Sequence, residues 1–332
     1  MRHRILVSLA LGAVTALLWF ARVPVAAQSQ TGGAPIAAAT ASTAPRTPWG
    51  DSDLQGVWTL NDMHGVPIER PVAATGKIEL TTTEAAARRE RATQAGIWGY
   101  DREWRDTALG FVKTAPSNQL SLIIDPPDGR IPPLTPEGQK RTAMRAARGS
   151  GLVEGSTEAL RPGLWATDLS PYVRCITRGL PEMWIPLGYN NGVQIVQGPG
   201  NVVVTKEMVH EARVISLDRR TDLGPRITQW LGDSRGRWDG DTLVVETVNF
   251  DDSTWLDGDG SFHSDALRVV ERFSRKGDTL VWDVTAEDSK VFAKPFKPQL
   301  RTLVRAPEGV HAEQDFGCVE MDQDLLTTTE RH

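Results

Sequence analysis

Residues 202–305 hold four strand-forming runs separated only by turns, and this pattern restricts the chain to a small group of folds. Aspartate and glycine mark the turns, as in Asp239-Gly240-Asp241 and Lys276-Gly277-Asp278, because both residues tolerate the positive backbone dihedrals of tight hairpins. Successive strands joined by hairpins pair antiparallel and curl into a barrel or a sandwich. The sequence therefore predicts a mainly β fold built on an antiparallel meander. The runs are Val202–Leu217, Thr242–Phe250, Leu267–Ser274 and Thr279–Thr285.

Two short helices and long loops are predicted in the N-terminal half. Thr81 and Glu84 have the spacing of a capping box, and helix formers follow as far as Ala95. Thr135 followed by Pro136 is typical of a helix start, and this second helix is expected to end near Arg148. Further strands are predicted at Asp53–Thr59, Ser121–Ile124, Val193–Val196 and Gln299–Val304, and one around Phe316–Glu320 would help to close the sheet.

The first residues have the three parts of a secretory signal peptide. Arg2 and Arg4 form the basic region, Ile5–Phe20 the apolar core, and Val25-Ala26-Ala27 the small-residue cleavage site. The apolar core is shorter than the roughly 20 residues that span a bilayer. We therefore expect cleavage after residue 27, a periplasmic or secreted mature protein, and no stable membrane span. An uncleaved anchor is the alternative.

The rest of the chain is expected to form one domain behind a linker. Residues 28–48 are small, polar and dotted with proline, which is typical of a disordered tether. Residues 49–325 are predicted to form a single β-rich domain, in which a helix- and loop-rich insert at 61–192 precedes the β-meander at 193–320.

Charge and cysteine content limit the partners. The formal net charge is −5, and acidic and basic residues are interspersed, so neither a nucleic acid nor a polybasic membrane contact is expected. Cys175 and Cys318 both lie in the exported part, where a disulfide between them is expected and two reduced, buried cysteines are the alternative. No dinucleotide fingerprint, phosphate loop or metal-binding spacing is found in the sequence, so we predict no cofactor. The acidic loop Asp251–Asp259 leaves calcium binding open, although it lacks the spacing of an EF-hand.

Two resemblances bear on the fold. The segment WLGDSRGRWDGDTLVVETVNF at residues 230–250, with the stretches at 124–130 and 207–213, resembles the signature of a family of uncharacterised exported bacterial proteins, and this resemblance implies no activity. Gly56-x-Trp58 ahead of a meander is similar to the start of lipocalin-like (calycin) barrels. That likeness implies that Trp58 closes one end of a barrel and packs against Arg301 or Arg305 through a cation–π contact.

Several carboxylates alternate with apolar residues on predicted strands. Glu207 shares a face with Arg213, Glu246 with neighbouring valines, and Glu271 with Leu267. A carboxylate that points into an apolar interior must be paired or protonated, so pairing with Arg213, Arg268 or Arg272 is expected. The pattern indicates either a ladder of structural ion pairs or the wall of a ligand pocket.

His210 and His263 are the candidates for proton transfer. Each lies close in sequence to an acidic residue, and such a histidine can exchange a proton near neutral pH. Glu207 and Glu271 are the candidate catalytic carboxylates. Candidate ligand-binding residues are Arg213, Glu246, Trp184 and Trp238.

Other motifs argue for structure. Gly232-Asp233-Ser234-Arg235-Gly236 lacks the strand-to-helix setting of a serine-hydrolase elbow, and we expect Asp233 and Arg235 to hold each other in a hairpin. The leading functional prediction is an exported barrel that carries out cofactor-independent acid/base chemistry, of a lyase, hydratase, isomerase or glycoside type, on a small organic or sugar substrate. The alternatives are a non-catalytic binding protein for an apolar or aromatic small molecule, and a structural envelope protein with a filled core.

Overall fold

A computed structural model describes residues 44–96, 115–148, 171, 176–180, 191–207, 211–218, 223–224, 226–254 and 262–306. The described residues from Ala44 onward belong to one compact unit. Among the described residues, no helix is both long and apolar enough to cross a membrane.

Ten β-strands and two α-helices make up the described part of this unit. The helices are α1 (Thr82–Gly96) and α2 (Pro136–Arg148), and single 3₁₀ turns lie at Asn61–Met63 and Val72–Ala74. The strands are β1 (Gly56–Thr59), β2 (Ile123–Asp125), β3 (Gly192–Gly198), β4 (Asn201–Lys206), β5 (Ala212–Ser216), β6 (Asp233–Asp239), β7 (Thr242–Val248), β8 (Arg268–Lys276), β9 (Thr279–Glu287) and β10 (Lys297–Arg305).

The sheet closes on itself into a barrel. The order is β1-β3-β4-β5-β6-β7-β8-β9-β10, and pairing of β1 with β10 completes the ring, while β2 pairs with β10 outside it. The closing register joins Trp58 to Arg305 and Thr59 to Val304. The prediction of a mainly β barrel with two short helices is confirmed.

Two details of the predicted meander are wrong. The run from Val202 to Leu217 is not one strand but the hairpin β4–β5, which the backbone N–H of Lys206 closes onto the carbonyl of Glu211. The pairing of β5 with β6 is parallel, at Ser216 and Arg235, whereas the other pairs in the ring are antiparallel. The sequence of β6 is rich in polar residues and contains Gly236, so it has the composition of a loop. The parallel direction of the β5–β6 pair is not visible in the sequence.

Every second side chain along the strands points inward, and these side chains fill the barrel interior. Leu243 and Val245 of β7, Phe273 of β8 and Leu280 of β9 are almost fully buried. The Trp282 ring, also buried, stacks on Phe273 at a centroid distance of 5.0 Å. The described side chains thus form a continuous apolar core inside the ring.

Trp58 lies fully buried at the β1–β10 closure. Its indole N–H donates to the carbonyl of Leu54 at 2.9 Å, and the guanidinium carbon of Arg275 lies 5.4 Å from the ring centroid. The cation–π partner is therefore Arg275. The expectation for Arg305 is wrong because its guanidinium group lies beside Gly56 instead. The side chain of Arg301 lies outside the described part of the chain.

Both helix starts carry the expected caps. In α1 the backbone N–H of Thr81 donates to the Glu84 carboxylate at 3.0 Å, and the N–H of Glu84 donates to the Thr81 hydroxyl at 3.2 Å. In α2 the Thr135 hydroxyl accepts the N–H of Gly138 at 3.0 Å, next to Pro136 at the first helical position.

Candidate functional site

A cleft of about 700 Å³ opens in the barrel wall where β5 and β6 pair. Only Ser216 and Arg235 are in register there, so the two strands separate on the side of Arg213. A parallel pair with a single register contact leaves backbone unpaired and makes room for a groove. The cleft is lined by Ile176, Thr177, Glu211, Ala212, Arg213, Val214, Thr228, Gln229, Trp230, Leu231, Gly232, Asp233, Ser234 and Asp251.

The floor of the cleft is formed by Arg213, which is paired behind the cleft surface with the buried Glu271. Arg213 points inward from β5, and its two terminal nitrogens donate to the two carboxylate oxygens of Glu271 at 2.5 and 3.1 Å. The indole N–H of Trp282 donates to the same carboxylate at 3.0 Å. The side chains of Arg213 and Glu271 are 2% and 0% exposed. Glu271 thus has the arginine partner that its interior position requires.

The inner wall of the cleft is formed by Glu211. Its Oε1 accepts the hydroxyl of Thr177 and, at 3.2 Å, the backbone N–H of Arg178. Glu211 is only 8% exposed, yet it borders the cleft. A carboxylate in this position can accept hydrogen bonds from a bound molecule or exchange a proton with it. Glu211 is not among the predicted site residues, although its backbone carbonyl closes the β4–β5 hairpin by accepting the N–H of Lys206.

The outer wall belongs to the start of β6. The Asp233 carboxylate accepts the backbone N–H of Leu223 at 2.9 Å and the Arg235 guanidinium at 3.1 Å, so the expected contact between Asp233 and Arg235 is present. Ser234 and Thr247 share a hydrogen bond of 3.0 Å between their hydroxyls. These contacts fix the wall.

Apolar side chains form the rim. Trp230 is 37% exposed and Val214 is 60% exposed, and both line the cleft. Ile227, in the same segment as Trp230, is also exposed. The cleft therefore combines a polar, charged interior with an apolar mouth.

His263 is placed differently from a typical proton-transfer group. It is completely buried, and its ring lies edge-on to Phe250 at 5.7 Å. Its Nδ1 lies 3.0 Å from the carbonyl of Ser264, which can only accept, so Nδ1 donates and Nε2 accepts from the Thr254 hydroxyl. Burial lowers the pKa of His263, although the carboxylates of Asp288, Asp252 and Asp251 act in the opposite direction. Both ring nitrogens are engaged, and the histidine does not line the cleft.

The other predicted carboxylates lie away from the cleft. Glu207 is buried and accepts the backbone N–H of Gly192 at 2.7 Å. The expectation that Glu246 points into the barrel interior is wrong. It lies half-exposed on the outer face of β7, where Arg268 donates to it at 2.6 Å.

The misplacement of Glu246 has a physical origin. Both faces of β7 carry buried valines, because Val244 on the outer face lies in register between Arg237 and Arg272. The aliphatic parts of arginine side chains can cover an apolar neighbour on the outer face. Apolar residues therefore occur on both faces of β7, and the sequence does not show which face points into the barrel. Trp238 is half-buried on β6 and packs against the core.

Several predicted residues lie outside the described part of the chain. They are His210, Trp184, Cys175 and Cys318, together with Asp257 and Asp259 of the acidic loop and the strand expected around Phe316–Glu320. Within the described ranges, no group of three or more histidine, cysteine, aspartate or glutamate side chains is arranged to hold a metal ion.

Comparisons of the chain with family models, with curated proteins and with solved structures find no match.

Proposed function

We propose that the protein is an exported binding protein and that a small organic molecule occupies the β5–β6 cleft. The observation that carries this proposal is a groove of about 700 Å³ with a polar interior and a tryptophan at its mouth. Its volume falls in the range of roughly 300–1,000 Å³ that is usual for small-molecule sites. The signal-like residues 1–27 support export.

The cleft favours a ligand with an apolar or aromatic part and a polar end. Trp230 and Val214 offer apolar surface at the mouth, where an aromatic ring can stack on the indole. Deeper in the groove, the Glu211 carboxylate and the hydroxyls of Thr177 and Ser234 offer hydrogen-bonding groups. The ion pair of Arg213 and Glu271 neutralises the charge of the floor.

Binding is favoured over catalysis because two predicted acid/base residues are fully engaged. Both oxygens of Glu271 accept hydrogen bonds from Arg213, and both ring nitrogens of His263 are bonded inside the core. A general acid or base must come within hydrogen-bonding reach of its substrate, and neither of these residues borders the cleft.

A ligand screen on the secreted protein tests the proposal. We expect members of a panel of indoles, phenols, methyl glycosides and aromatic amines to raise the melting temperature. Ala212→Trp places a large ring in the groove and should abolish the shift, whereas Val196→Trp, at an exposed position on β3, should preserve it. A panel without any effect, or an Ala212→Trp protein that responds like the wild type, would contradict a binding site in the cleft.

Acid/base chemistry on the bound molecule is the second candidate. One observation favours it: the Glu211 carboxylate borders the cleft, and Glu211 follows His210 directly in the sequence. If a bound compound is turned over, mass spectrometry will show a lyase, hydratase, isomerase or glycoside-type product. The Glu211→Gln variant should then react at least about a hundredfold more slowly. An unchanged rate in that variant would remove Glu211 from the chemistry.

A further inference from the structure

A second groove, independent of the cleft, lies along helix α1. Its volume is about 430 Å³. One helix face, formed by Glu84, Ala87, Arg88 and Arg91 at spacings of three and four residues, makes one side. The rest of the lining is Gly65, Pro67, Pro71, Ala73, Ala74, Lys77, Leu80 and Leu120.

The groove is fixed by its backbone contacts. The carbonyl of Pro67 accepts the N–H of Leu122 at 2.8 Å, and the N–H of Leu80 donates to the carbonyl of Asn118 at 2.9 Å. Gly65 has a φ of +78°, and a Cβ there would lie 2.6 Å from that of Ala92, so glycine permits the close approach of this wall to α1. A preformed groove loses little conformational entropy when a ligand binds.

Apolar and small residues cover most of the groove surface. Alanine, proline and glycine leave space between the walls, and Leu80 and Leu120 provide aliphatic surface. Such a lining suits an aliphatic chain or an apolar ring, because burial of apolar area on both partners stabilises the complex.

Positive charge is concentrated at one part of this lining. Lys77 forms an ion pair with Glu84, and its ammonium group, together with two hydrogen bonds from Thr81, lowers the pKa of that carboxyl to about 2, so the charges of Lys77 and Glu84 compensate each other. Arg88 donates to the carbonyls of Gln119 and Ser117 at 2.6 and 2.7 Å, which hold the guanidinium group without neutralising it. Burial, with the positive charges of Arg89 and Arg91, lowers the pKa of Arg88. An anion here would relieve that repulsion.

We propose that the groove along α1 binds an amphipathic organic anion. The anionic head lies against Arg88 and Arg91, and the apolar part lies over Ala87, Leu80 and Leu120. Guanidinium groups recognise carboxylates through paired, charge-assisted hydrogen bonds. The terminal nitrogens of Arg88 are held by the two carbonyls, so Arg88 contributes its positive charge and its buried Nε, which has no hydrogen-bond partner among the described residues. The exposed Arg91 can supply the paired contact to the head group.

Isothermal titration of the full chain with decanoate tests this assignment. We expect saturable binding at concentrations up to about 1 mM, weakened by salt because the head group is held by charge. Decanol, which has the same chain without the charge, should bind at least about tenfold more weakly. Absence of saturable decanoate binding would overturn the proposal.

Matched variants locate the site. Ala87→Trp fills the groove and should abolish binding, whereas Ala86→Trp changes an exposed neighbour outside the lining and should not. Arg91→Gln should weaken binding about tenfold, whereas Lys140→Gln on exposed α2 surface should have no effect. Equal affinity in Ala87→Trp or Arg91→Gln would exclude this groove.

The same titration separates the groove from the cleft. Ala212→Trp blocks the β5–β6 cleft and should leave decanoate binding unchanged. Loss of decanoate binding in Ala212→Trp would overturn the α1 groove as the site and assign the anion to the cleft instead.

Discussion

Glu271 is the residue whose environment is most demanding, since its carboxylate is completely buried inside the ring. Two donated hydrogen bonds from Arg213 and one from Trp282 satisfy it. Buried ion pairs add little net stability over an apolar pair, but removal of one partner leaves a charge in a medium of low polarity. The floor of the cleft is therefore sensitive to single substitutions.

Glu271→Gln should destabilise the protein by about 3–5 kcal/mol, because the buried Arg213 would lose its counter-charge. Urea unfolding monitored by circular dichroism measures the difference. The matched control is Glu246→Gln, which removes a half-exposed carboxylate paired with Arg268 and should cost at most about 1 kcal/mol. Equal losses of unfolding free energy in the two variants would show that the buried Arg213–Glu271 pair is no more important for stability than the exposed pair.

His263 should make stability fall as the pH is lowered below its ordinary pKa of about 6.5. Burial lowers the pKa of His263 in the folded protein, so the unfolded chain takes up a proton at a higher pH than the folded one. The contribution is complete above that value and is lost progressively as the pH falls.

His263→Gln should therefore flatten the pH dependence of unfolding free energy between about pH 5 and 7. The carboxyl of Asp265, whose pKa is lowered by Lys290, titrates in a more acidic range and serves as an internal reference. An identical slope in wild type and variant would mean that another group titrates in this window.

At the scale of elements, the seam between β5 and β6 depends on Gly236. A Cβ at this position would lie 2.7 Å from the Leu217 side chain and 2.8 Å from that of Ile215, both closer than real contacts allow. The absence of a side chain lets the end of β5 approach β6, and the cleft opens beyond that contact.

Gly236→Ala should destabilise the fold by about 1–3 kcal/mol through overpacking. Gly198→Ala, on β3 with no atom within 4 Å of the added methyl group, should be tolerated. Thermal unfolding of both variants is the measurement. If Gly236→Ala is as stable as Gly198→Ala, the close approach at the seam does not constrain the strands.

Strand positions were predictable where apolar residues alternate regularly. The runs that became β7, β8 and β9 were located to within a few residues, and both helix starts followed from their capping residues. Strand β6 was missed because Asp233, Arg235 and Arg237 gave it the composition of a loop. Apolar residues on both sides of Lys206 and Glu207 joined β4 and β5 into one run, since residues 207–211 contain none of the glycine, proline, asparagine or aspartate that usually mark a turn.

The site was predictable only in part. The inward position of Glu271 and its need for an arginine followed from its alternation with Val269 and Phe273, which are buried. The sequence left Arg213, Arg268 and Arg272 open as partners, and the fold selects Arg213. Glu211 and the rim residue Trp230 were missed, since their neighbourhood is created by the parallel pairing and not by local sequence. Glu246 was misassigned because its strand is buried on both faces.

At the scale of the whole molecule, the ring has one tight closure and one loose seam. At the closure, β1 and β10 are joined in register at Trp58 and Thr59, and the N–H of Ala306 also donates to the carbonyl of Val57 at 2.8 Å. At the seam only Ser216 and Arg235 are in register. Local opening should therefore begin at the seam.

Hydrogen exchange followed by mass spectrometry tests this difference. Amides of Thr59 and Val304 should exchange only through global unfolding. The amides of β5 that point toward β6, and not toward β4, should exchange through local opening and gain protection when the cleft is occupied. Equal protection at both places in the free protein would contradict a loose seam.

The parallel pairing of β5 and β6 determines where the segment that connects them can vary. Parallel neighbours need a connection that carries the chain back to the starting end of the strand pair, and here that return path runs between Ser216 and Asp233 and supplies Thr228 to Gly232 to the cleft. The connecting segment is not one of the strands of the barrel. Substitutions or changes of length within it can therefore alter the residues at the mouth of the cleft while the barrel keeps its shape. For the ligand proposed above, selectivity would therefore depend on the segment that connects β5 and β6 more than on the strands that form the barrel.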